Sequence, residues 1–144
     1  MIDFKNLTIR EHELLLKFPA YISLLAANTD GRFDKAEKFS AVELVHIKTY
    51  ACDPRLGEFF QEVNNGFEKT IDELDKVLPA GKQNRHLAIK AKLLSLEKIV
   101  LKLGKEYTDI MHQSMESFKD HVSHAHHNVL VDFLFPIPIK GLSY

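Results

Sequence analysis

Residues 26–37, AANTDGRFDKAE, gather Asn28, Asp30, Asp34 and Glu37 around Gly31. Side-chain oxygens at this spacing are ligands for a divalent cation such as calcium, magnesium, manganese or zinc. With Gly31 set at the obligatory glycine of a calcium loop of about twelve residues, Asn28, Asp30, Asp34 and Glu37 fall on places that supply side-chain oxygen. The first place falls on Ala26, whose methyl group supplies none, so an ordinary loop of that kind is not expected. The same residues also make a purely structural unit. Asp30 and Gly31 suit a tight turn, and Asp34 with Glu37 forms a D-x-x-E box that caps the following helix and favours its dipole. The two readings are compatible, because carboxylates crowded into one turn repel unless a cation or a lysine lies among them. Either way, the acidic bend is expected at the rim of the fold.

Two further groups carry ligand chemistry. On one helix, Asp109, His112, Glu116, Asp120, His124 and His127 fall within a sector of roughly 120°, given about 100° of rotation per residue. Asp120, His124 and His127, spaced by four and three, form a trio suited to zinc or another transition metal. That sector lies opposite the apolar seam of its helix, so its simplest reading is a solvated, histidine-rich face. Glu43 and His46 make a Glu-x-x-His pair of the type used by two-metal carboxylate bundles. They share a side with Ala36, Phe39, Ile47 and Tyr50, a side expected to face the core. A buried carboxylate there requires a proton, a base or a metal. Nucleophilic catalysis finds no support: Cys52 adjoins Asp53, whose charge disfavours a thiolate, and no glycine-rich phosphate loop or nucleophile elbow is present. The expected answer to whether this is an enzyme is no.

The elements that must position these residues are all helices. Apolar residues recur every three or four places along almost the whole chain, and strand-type alternation is nearly absent. Thr8 and Glu11 form a capping box, and Pro19 marks a kink or the first turn of a second segment. A helix is expected from Asp34 to about Tyr50, with Asp53 and Pro54 as cap and first position of the next one. That next helix carries Leu56, Phe59, Phe60, Val63, Phe67, Ile71, Leu74 and Leu78 in helical register, despite Gly57 and Gly66. PAGKQN is the clearest connection. HLAIKAKLLSLEKIVLKLG, residues 86–104, is apolar on more than one side and is expected to be a central helix surrounded by neighbours. A last helix is expected from near Lys105 to about Phe135, with Met111, Met115, Phe118 and Val122 in its seam.

At 144 residues the chain suits one all-α domain, a compact bundle of about six or seven helices over residues 1–144, with a C-terminal extension at about 134–144. Twenty acids against nineteen bases disfavour a nucleic-acid binder. The longest nearly uninterrupted apolar run, FLFPIPI, is too short to cross a bilayer and contains two prolines. One cysteine and an N-terminus without a secretory pattern make a cytoplasmic location the expectation. The apolar tail is expected to dock on the bundle itself or on a second copy of the chain, and a protein partner elsewhere is compatible with the composition.

YISLLAANTDGRFDKAEKFSAVEL resembles the signature of the TerB-like helical domains, named for a tellurite-resistance protein: an apolar helix ending in small residues, an Asp-Gly pair and an acidic helix start. The resemblance implies a compact helical domain of bacterial stress-related or envelope-associated proteins, with a metal held through positions matching Asp30, Gly31, Asp34 and Glu37. It is specific over about residues 14–50 and generic beyond. The second Asp-Gly acidic motif common in that family is missing here. The resulting expectation is a non-enzymatic binding or scaffold module, with a divalent cation at the Asp-Gly turn. The alternative is a helical-bundle metalloprotein, oxidoreductase-like or for metal storage, using Glu43 with His46 or Asp120 with His124 and His127.

Overall fold

The computed structural model describes residues 6–26 and 35–125, apart from the side chains of residues 36, 50, 51 and 122–125. The described residues are helical, with no strand among them. The elements are α1 (Ile9–Leu16), α2 (Phe18–Ala26), α3 (Lys35–Ala51), a 3-10 turn (Pro54–Leu56), α4 (Gly57–Val77), α5 (Lys82–Leu101) and α6 (Lys105–Ala125). None of these helices is long and apolar enough to cross a membrane.

The local signals act where the sequence places them. The Thr8 hydroxyl accepts from the Glu11 backbone N–H at 3.1 Å and the Glu11 carboxylate accepts from the Thr8 N–H at 2.9 Å, which closes the capping box of α1. Only Lys17 separates α1 from α2, and Pro19 lies in the first turn of α2, where its missing N–H costs nothing. Asp53 accepts from the Arg55 backbone N–H at 2.9 Å, but it caps the 3-10 turn rather than the long helix expected after it: α4 starts at Gly57, behind Leu56, with no side-chain cap. Gly66 leaves helical geometry and kinks α4 without ending it. The join between α5 and α6 turns on Gly104, whose φ of 91° is costly for a residue with a Cβ. The Thr108 hydroxyl closes this corner, 2.9 Å from the Val100 carbonyl oxygen and 2.7 Å from that of Gly104.

Every residue of α2 is buried. The helix packs on α4, α5 and α6 and touches α1 and α3 as well, and α6 also packs on α3, α5 and the 3-10 turn. Phe60 of α4 and Phe118 of α6 stack with ring centroids 6.0 Å apart, and Phe59 meets its chain neighbour Phe60 edge-on at 5.1 Å, so one aromatic stack touches across α4 and α6.

Residues 86–104 therefore do not form the surrounded helix that their pattern predicts. α5 buries Ile89, Leu93, Leu96, Ile99 and Val100 on one side, and leaves Leu87, Leu94 and Leu101 exposed on the other. The helix enclosed all round is α2, while α6 buries residues on several sides and leaves Lys105, Glu106, Gln113 and Asp120 exposed. Apolar residues on two sides show only that a helix could bury both; how many neighbours reach it is a tertiary matter.

Candidate functional site

α6 carries the candidate site, because its polar residues are inside. Thr108, His112, Ser114, Glu116 and Lys119 are all buried, beside Met111, Met115 and Phe118. The sector read as a solvated face is thus corrected at its middle. Asp109 is half-buried and Asp120 is exposed, whereas His112 and Glu116 lie within the fold. The physical reason is pairing. His112 Nε2 stands 2.8 Å from a carboxylate oxygen of Glu97 on α5, and the Lys119 ammonium pairs with Glu116 one turn away. Each pair brings a carboxylate and a base together, so neither enters the interior as an isolated charge.

Glu37, in the first turn of α3, has none of its surface exposed. The expectation of an acidic bend at the rim fails for this member. Asn28, Asp30 and Asp34 lie outside the described residues, as does His127, and the His124 side chain lies outside them too. Glu43 and His46 are exposed rather than core-facing, and Phe39 and Ile47 beside them are 69% and 46% exposed. α3 has two apolar sides, and the one that docks is Ala41, Leu44 and Val45, together with Glu37. The excluded side carries Glu43 and His46, whose desolvation would have opposed its burial. Among the described residues, no three His, Cys, Asp or Glu side chains come together as a metal-binding group.

Other ionic contacts tie the elements. Arg55 donates from Nε to Asp53 at 3.0 Å and from Nη2 at 2.8 Å, and it also pairs with Glu106 at the start of α6. The guanidinium lowers the Asp53 carboxyl from 3.8 to about 2. Lys38 on α3 bridges to Asp72 at 2.9 Å on α4, and that contact raises the lysine pKa. Burial pushes the Cys52 thiol up and pulls the Lys48 ammonium down. Asp53 adds to the rise at Cys52, but burial is its larger cause.

Sequence reasoning missed Arg85 and the Glu97–His112 pair. Arg85 is 4% exposed and joins the end of α4 to the start of α5 through Asp75 and Pro79. A lone arginine in the first turn of a helix gives no periodic signal of burial. Glu97 and His112 lie in different helices, so their meeting depends on the α5–α6 turn. An open groove of about 610 Å³ runs along α4 past the kink, lined by Asn64, Asn65, Phe67, Glu68 and Asp72 among others. None of its lining residues belongs to the buried pairs of α6.

No protein-family model, curated protein or solved structure matches the chain.

Proposed function

We propose that the chain is a non-enzymatic binding module: a TerB-like bundle of six or seven helices that takes a divalent cation at the turn before α3 and recruits a protein partner through an exposed surface. The observation that supports this most is the complete burial of Glu37, three residues after Asp34. Positive charge stabilises a carboxylate removed from water, and a cation drawn to Asn28, Asp30 and Asp34 adds such charge close to Glu37 in the chain, beside the contacts that the carboxylate already makes. A part in bacterial stress response follows from the TerB-like resemblance within this reading, and a cytoplasmic location from the single cysteine and the N-terminus without a secretory pattern.

Thermal melting with calcium, magnesium, manganese or zinc tests the cation. One of these ions should raise the wild-type melting temperature saturably, as any ligand of the folded state does. Asp34→Ala should lower stability by about 1 kcal/mol through the lost cap and abolish the shift. Melting temperatures unchanged by all four ions would remove cation binding from the reading.

A further inference from the structure

Leu87, Leu94 and Leu101 are spaced by seven and are 61%, 46% and 57% exposed. They stand about 150° around α5 from Ile89, Leu96 and Val100, which are fully buried. This second stripe is what makes α5 apolar on two sides. At about 1.5 Å per residue it runs for about 21 Å along the outside of the fold.

Lys90 and Lys98 stand about 40° to either side of the stripe at about 100° per residue, and the charges of the helix are almost all of one sign. α5 contains Lys82, Arg85, Lys90, Lys92 and Lys98 against a single acid, Glu97. Arg85 is turned inward to Asp75, and Glu97 is engaged by His112. The outer surface of α5 is therefore leucine bordered by lysine. We propose that this surface docks an acidic amphipathic helix of a partner protein, with its apolar seam on Leu87, Leu94 and Leu101 and its carboxylates on the flanking lysines. The proposal names the partner class of the binding module and rests on that reading.

Two other occupants fit the same surface less well. A second copy of the chain, paired through α5, would set lysines against lysines, a repulsion that no charge on the outside of α5 relieves. An anionic bilayer would take the lysines, but a helix lying in a membrane buries a wide apolar face. Here the positions between the leucines, at spacings of four and three, are Ala91 and Lys98. Ala91 continues the seam between Leu87 and Leu94 and Lys98 interrupts it in the second heptad, so the apolar strip is narrow, of a width that one partner helix covers.

The test uses the full chain and a designed, fluorescently labelled helical peptide with leucine at its seam and glutamate on both flanks. Its twin carries lysine on the flanks. The acidic peptide should bind saturably and more weakly as salt is raised, and the lysine twin should bind much less. Leu94→Glu should weaken the acidic peptide by about tenfold or more, the factor expected for losing one buried leucine. Lys98→Glu should narrow the preference for acidic over basic flanks. Both residues are exposed, so the variants should keep the wild-type circular dichroism and melting temperature. No binding of the acidic peptide, or equal binding of the two peptides, overturns the proposal. So does a stripe taken by something else: Leu94-dependent sedimentation with vesicles of phosphatidylserine and phosphatidylcholine, or a dimer abolished by Leu94→Glu. The cation-induced melting shift is read separately, so failure here and failure at the acidic turn are distinguishable.

Discussion

Replacing Arg85 by methionine tests how α5 is held in place. Its side chain is 5% exposed, and Nη1 donates to the carbonyl oxygens of Asp75 at 3.2 Å and Pro79 at 3.3 Å. These carbonyls belong to the last turn of α4 and the connection after it, where helical partners have run out. Methionine keeps much of the apolar stem and removes every donor. Two charged-donor hydrogen bonds contribute about 1.5 kcal/mol each at the lower end of their range. The Asp75 carboxylate is 39% exposed and can rehydrate, so losing the ion pair adds at most about 1 kcal/mol. Removing a buried guanidinium also recovers part of its desolvation cost, which leaves a net loss of about 2 to 3 kcal/mol. Arg85→Lys should lie between methionine and wild type, because one ammonium cannot reproduce the planar fork. Urea unfolding followed by circular dichroism measures both, with an unchanged slope confirming that only stability moved. A loss below about 0.5 kcal/mol for Arg85→Met, the size of an ordinary surface change, would refute this account of the α4–α5 join.

Gly104→Ala should cost about 1 kcal/mol or more in the same assay, since a Cβ meets no neighbour there but cannot relax at a φ of 91°. An equally stable alanine variant would show that the turn takes another conformation. Asp53→Asn keeps a capping oxygen and removes the charge, so it should cost about 1 kcal/mol at neutral pH, the Asp53 side chain being 31% exposed. Because folding lowers this pKa, that difference should persist above the ordinary value of 3.8 and fade as pH drops towards about 2; a gap that grows in acid would reverse the sign of the argument. Cys52, with its thiol pKa raised by burial, should react with iodoacetamide more slowly than glutathione at neutral pH and speed up in alkali. Rapid alkylation at neutral pH would contradict that environment.

Local chemistry was the legible part of this chain. Capping by Thr8 with Glu11, the place of Pro19 and the apolar register of α4 all depend on residues within a turn or two of each other, and all appear where the sequence puts them, whereas Asp53 caps a separate 3-10 turn and not α4 itself. Choices between faces were harder. α3 and α5 each offer two apolar sides, and periodicity cannot say which one meets a neighbour. The side of α3 with Phe39 and Ile47 proved to be outside, taking Glu43 and His46 with it, and the interior accepted Glu37. α6 went the other way: a sector rich in charge was drawn inside because Glu97 and Lys119 provide partners for His112 and Glu116. Such partners belong to tertiary structure, or to a geometry one turn away that a solvated helix would share. Of the candidate ligands, Asn28, Asp30, Asp34 and His127 lie outside the described residues.

Cysteine accessibility tests the central claim most directly, namely that α5 shows a second apolar face to its surroundings while its first is sealed. In a Cys52→Ser background, Leu87→Cys and Ile89→Cys place a thiol at positions that are 61% and 0% exposed. The account predicts that the thiol at position 87 reacts with a maleimide about as fast as a short unstructured peptide, and that the thiol at position 89 reacts only as the protein unfolds. Protection at both positions, or equal reactivity at both, would contradict it.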